Sequence, residues 1–108
     1  MNNEQQNKVN IINNLLDSNV DNNIVQVTFR KKDNSIRNML LKKSPELEAT
    51  VKGTRAEATQ RRKWTLSESG MKCVEELKPD MTYQFRTLNL LKVTQLTVNG
   101  TVHQFEEL

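Results

Sequence analysis

The residues whose types and spacing could do chemistry here are basic side chains beside an aromatic ring. Residues 22–72 hold twelve Lys/Arg against five Asp/Glu, while the flanking segments are each slightly acidic. The excess falls in two places. One is a stretch with Arg30, Lys31, Lys32 and Arg37; the other holds Lys52 and Arg55 and ends Arg61-Arg62-Lys63-Trp64. Cations neutralise phosphates, and an indole ring can stack a base or root a loop in the core. This pattern suits binding to a polyanion, DNA or RNA, better than it suits catalysis.

Other chemistries find little support. A structural zinc site needs several Cys or His ligands, and the sequence has one of each, Cys73 and His103. No metal or cofactor is expected. The three glycines stand apart, so there is no glycine-rich phosphate loop. A Cys73/His103 nucleophile pair has no surrounding motif, and no catalytic residue is assigned. A single cysteine cannot form an intrachain disulfide. No apolar run reaches the roughly 20 residues of a membrane span. The first residues lack the basic start and apolar stretch of a secretory leader. The expectation is a cytoplasmic, non-enzymatic protein without a membrane partner.

The elements that must position these cations follow from periodicity. Val9, Ile12 and Leu16 recur at helical spacing within 4–18, with Ile11 and Leu15 alongside, and Asn3 with Gln6 can form a capping box. This stripe either covers one end of the domain or, in the alternative reading, offers Val9, Ile12 and Leu16 to a partner. Residues 24–31 and 35–43 are β-rich. A three-residue link, Lys32-Asp33-Asn34, pairs Val25 with Leu41, Val27 with Met39 and Phe29 with Arg37, which gathers one apolar face. A two-residue link would place Phe29 opposite Asn38 and break that face. Ser44-Pro45-Glu46-Leu47 reads as a short helix start. Residues 50–62 lack periodicity and read as a mobile basic loop.

Beyond the loop, 63–66 is a short strand and 67–70 a turn. Residues 71–77 are ambiguous between strand and helix. Alternation makes 81–87 a strand, and 88–91 reads as a tight helical turn. Asn99-Gly100 is a strong hairpin signal between 93–98 and 101–105, with Leu96 beside His103 and Thr94 beside Phe105. The expected fold is mainly β: five or six short strands in a small, strongly bent barrel of the SH3, Sm or OB type. An N-terminal helix (1–20) precedes a barrel domain (21–108).

The run from Val27 to Met39, Val-Thr-Phe-Arg-Lys-Lys-Asp-Asn-Ser-Ile-Arg-Asn-Met, resembles the opening hairpin of the small Sm-like SH3-barrel proteins of bacteriophages, the second WYL-type family. Lys63-Trp64-Thr65-Leu66 and Tyr83-Gln84-Phe85-Arg86-Thr87-Leu88 follow in the order of that family's Trp strand and Phe-Arg segment. The likeness covers about residues 24–98, with Asn34 where the family carries Gly. It implies an SH3-like barrel and a phage accessory protein in the host cytoplasm, and no reaction. Two functions remain open: a nucleic-acid-binding barrel, or a modulator that docks on a host protein through the same basic patch and the helix. Edge strands of such barrels can also pair copies into a homo-oligomer.

Overall fold

The structure, a computed structural model, describes residues 1–44 and 64–108. The short helix start at 44–47 and the loop at 50–62, with Lys52, Arg55, Arg61, Arg62 and Lys63, fall outside the described residues, Ser44 apart.

Helix α1 spans Asn3–Asn19. Its cap is Asn2 rather than Asn3: the Gln5 amide donates to the Asn2 carboxamide at 2.8 Å, and the Asn2 amide donates back to the Gln5 side chain at 3.1 Å. Asn2 and Gln5 share the spacing of Asn3 and Gln6, so the sequence offers two boxes, and the earlier one lengthens the helix by a residue. Gln6 instead donates its side-chain amide to Asn10.

Six strands follow: β1 Val25–Arg30, β2 Ile36–Leu41, β3 Met71–Leu77, β4 Tyr83–Asn89, β5 Val93–Val98 and β6 Thr101–Gln104. They form one antiparallel sheet in the order β4-β3-β2-β1-β5-β6. The fold is therefore mainly β with one N-terminal helix, as expected. The ambiguous segment 71–77 is a strand, and the tight turn before β5 is a 3-10 turn at Leu90–Lys92.

The first hairpin has the register that burial favours: Val25 faces Leu41, Val27 faces Met39 and Phe29 faces Arg37. Val25, Val27, Met39 and Leu41 are buried, joined by Val74, Leu88, Val93, Leu96 and Val98 from the other strands. Val9, Ile12, Leu16 and Val20 lay the helix stripe on this core.

Three hairpins turn in the same way. Residues 31–35, 67–71 and 78–82 each close with a hydrogen bond from the first amide to the last carbonyl, at 2.8, 2.9 and 2.8 Å. Each has its fourth residue in the left-handed region: Asn34 at φ 70°, Gly70 at 84° and Met81 at 67°. This is the three-residue loop in which a type I turn runs into a left-handed residue. Gly70 is favoured at this φ, and a Cβ there would also approach Val9 Cγ2 to 3.2 Å, a tight contact. The fourth hairpin uses Asn99-Gly100 at φ 51° and 78°, the two-residue turn expected.

The sheet is curled. β2 and β3 share a single paired position, Leu41 with Glu76, and residues 64–66 take up the remaining edge of β3 through the Cys73 amide to the Thr65 carbonyl and a bridge from Leu66 to Lys72. Between Thr28 and Phe29 the β1–β5 register shifts, with Thr28 opposite Gln95 and Phe29 opposite Val93. The extra residue, Thr94, forms a bulge, and bulges bend and twist the strand that holds them.

Candidate nucleic-acid interface

The bulge decides which cations meet. Phe29 faces Val93, so the next residue along β1, Arg30, comes alongside Lys92 at the end of the 3-10 turn. Continuing past Arg30, the chain turns through Lys31 and Lys32. Together these residues rim a cleft of about 240 Å³. Its apolar lining is Phe29 and Met71, and Thr87 and Asn89 of β4 also line it. In the strand order β4 lies three places from β1, which a flat sheet would translate into about 14 Å. The curl of the sheet brings them to one cleft.

Lys31, Lys32 and Lys92 are exposed and have no ion-pair partner among the described residues. Arg30 is half-exposed and already engaged. Its Nε donates to Glu107 Oε1 at 2.7 Å and its Nη1 to the Asn34 carbonyl at 2.7 Å. Asn89 is held as the cap of the 3-10 turn, its Oδ1 accepting from the Leu91 amide at 3.1 Å.

Two further lysines show the opposite use of the same side chain. Lys72 is fully buried, and its Nζ reaches Asn13 Oδ1 at 2.6 Å, the Trp64 carbonyl at 3.1 Å and Asp17 Oδ1 at 3.0 Å. Lys8, also buried, donates to the Leu91 carbonyl at 2.7 Å and to the Glu106 carbonyl. Burial lowers the pKa of Lys8 below its usual 10.5; Glu107 opposes the shift and Lys92 adds to it. A buried ammonium is tolerable only with its hydrogen bonds made, and these two pin α1 to the sheet and the C-terminal segment.

Several expected site residues are placed elsewhere. Trp64 does not offer its ring to a base. It is 5% exposed, and its Nε1 donates to Glu75 Oε1 at 2.9 Å inside the core. Arg37 stands on the inward face of β2, where the register sets it opposite Phe29, and its Nη2 binds Glu76 at 3.0 and 3.1 Å. Arg86 Nε meets the same carboxylate at 3.0 Å, so Arg37 belongs to a half-exposed ion network around Glu76 and does not line the cleft. Val9, Ile12 and Leu16 are each 0% exposed, which corrects their alternative role as partner contacts: the helix spends its apolar stripe on the domain's own core. Arg30, Lys31 and Lys32 are brought together.

Lys92 was missed by sequence reasoning. Its signal lies in the β1–β5 register, and β5 is more than sixty residues from β1. Cys73 on β3 and His103 on β6 are separated in the sheet by β2, β1 and β5. Among the described residues no group of three or more His, Cys, Asp or Glu could hold a metal ion, and no helix is long and apolar enough to cross a membrane. No known protein family, curated protein or solved structure matches the chain.

Proposed function

We propose that this chain is a non-enzymatic nucleic-acid-binding domain, a small SH3/Sm-like barrel that works through the cleft between the β1–β2 turn and the 3-10 turn. One observation carries the reading: Arg30, Lys31 and Lys32 converge with Lys92, from a distant part of the chain, on a single concave site. Converging exposed cations raise the local potential and hold phosphates at fixed spacing. The resemblance of 24–98 to phage barrels supplies the setting, an accessory protein in the cytoplasm of an infected cell. Against the rival reading, docking on a host protein, stands the burial of Val9, Ile12 and Leu16, although Ile11 of the same helix is exposed.

Fluorescence anisotropy with a labelled oligonucleotide tests this. Reversing Lys31, Lys32 and Lys92 to Glu should weaken binding by at least about tenfold and flatten the plot of log K against log salt by about 2 to 3. Unchanged affinity and slope in that variant would sink the assignment.

A further inference from the structure

We infer that the cleft admits an unpaired base, so that the domain selects single-stranded nucleic acid over duplex; this rests on the nucleic-acid reading above. A surface that only tracks phosphates needs exposed cations and nothing beneath them. Here Lys31, Lys32 and Lys92 are exposed while Phe29 and Met71 of the same lining are half-buried, so the cations form the rim and the two apolar side chains the floor. Phe29 is partly buried and packs against the core, which braces it. A braced aromatic ring beside a thioether is a surface on which any base can lie, since every base has a π-face.

Asn89 adds a polar side chain to the lining. The Asn89 carboxamide oxygen is taken by the Leu91 amide, which holds the side chain in place. Its NH2 group has no acceptor among the described residues. Asn89 lines the cleft, and its carboxamide adds a polar group beside the apolar lining that could pair with a base edge. About 240 Å³ is room for one base and not for a base pair within its stack. A duplex keeps its bases stacked and paired, and extracting one costs a few kcal/mol. Duplex can therefore meet only the rim of Lys31, Lys32 and Lys92, while a single strand meets rim and lining together.

The test compares three probes of about 12 nucleotides with the full chain at one salt concentration: a single strand, a hairpin duplex, and an abasic single strand with an intact sugar-phosphate backbone. The single strand should bind about tenfold more tightly than the duplex, and the abasic strand should fall to the duplex level. Phe29→Leu keeps the apolar volume and removes the ring face. It should cost about fivefold for the single strand and leave the duplex unchanged. Circular dichroism of this variant confirms that the fold persists. Equal affinity for all three probes would overturn the inference while leaving nucleic-acid binding intact. No binding to any probe at low salt would overturn both.

Discussion

The turn joining β1 to β2 and the turn joining β3 to β4 share a backbone down to single hydrogen bonds. The Lys31 amide donates to the Ser35 carbonyl and the Lys78 amide to the Thr82 carbonyl, each at 2.8 Å. The Asn34 and Met81 amides reach back to the Lys31 and Lys78 carbonyls, each at 2.9 Å. In both, an aspartate two residues before the end accepts from the amide and hydroxyl of the closing residue: Asp33 from Ser35 at 3.0 and 2.6 Å, Asp80 from Thr82 at 3.0 and 2.5 Å. The surroundings differ. The first turn carries Lys31 and Lys32 to a cleft that Lys92 completes. The second carries Pro79 and a Met81 that is 72% exposed. Local backbone demand accounts for the turns, while the working surface depends on which distant residue the sheet register delivers beside one of them.

The comparison is broken most forcefully by charge. Lys31→Glu with Lys32→Glu should weaken oligonucleotide binding by about tenfold or more, whereas Lys78→Glu on the matching turn should change it by less than about twofold. Equal losses would mean that net charge, and not the cleft, governs binding.

The left-handed position gives a smaller, structural contrast. Both residues sit near φ 70°, but Asn adopts this conformation at a lower cost than Met. Met81→Gly should therefore stabilise the fold by about 1 kcal/mol in chemical denaturation, against a few tenths for Asn34→Gly.

Freeing Arg30 is a gentler intervention. Glu107→Gln removes the carboxylate at 2.7 Å and should tighten oligonucleotide binding by about threefold, the scale expected of an exposed ion pair. No change would place Arg30 outside the phosphate path.

Acid should treat the two turns alike. Hydrogen bonds from Ser35 and Thr82 hold the Asp33 and Asp80 carboxyls below the usual 3.8. A depressed folded pKa contributes stability above the unfolded value, and this contribution is lost as pH falls through the folded one. Asp33→Asn and Asp80→Asn should thus flatten the loss of stability below about pH 4 by similar small amounts, followed as melting temperature against pH.

What could be read in the sequence was whatever local rules determine. The Asp33-Asn34 loop and the alternation of Val25, Val27 and Phe29 against Met39 and Leu41 specify the first hairpin, because a slip of one residue would turn that face outward. Asn99-Gly100 specifies the last. The site was only half legible. Lys31 and Lys32 stand out as a basic pair, but their neighbours Met71, Thr87 and Lys92 come from β3, β4 and the 3-10 turn, whose placement beside the β1 end is set by the whole sheet. Trp64 and Arg37 misled for the same reason. An indole after three cations looks like a stacking platform until Glu75 is known to lie beneath it, and an arginine near a turn looks solvated until Glu76 is known to face it.

The central claim is that the cleft is the working surface, and the most direct test is a titration of isotope-labelled protein with a single-stranded oligonucleotide, following backbone amide resonances. The account predicts saturable shifts concentrated at residues 29–32, at Met71 and along 87–92, with the matching turn at 78–82 unmoved. Shifts centred on α1 or on the 78–82 turn, with the cleft amides silent, would contradict it.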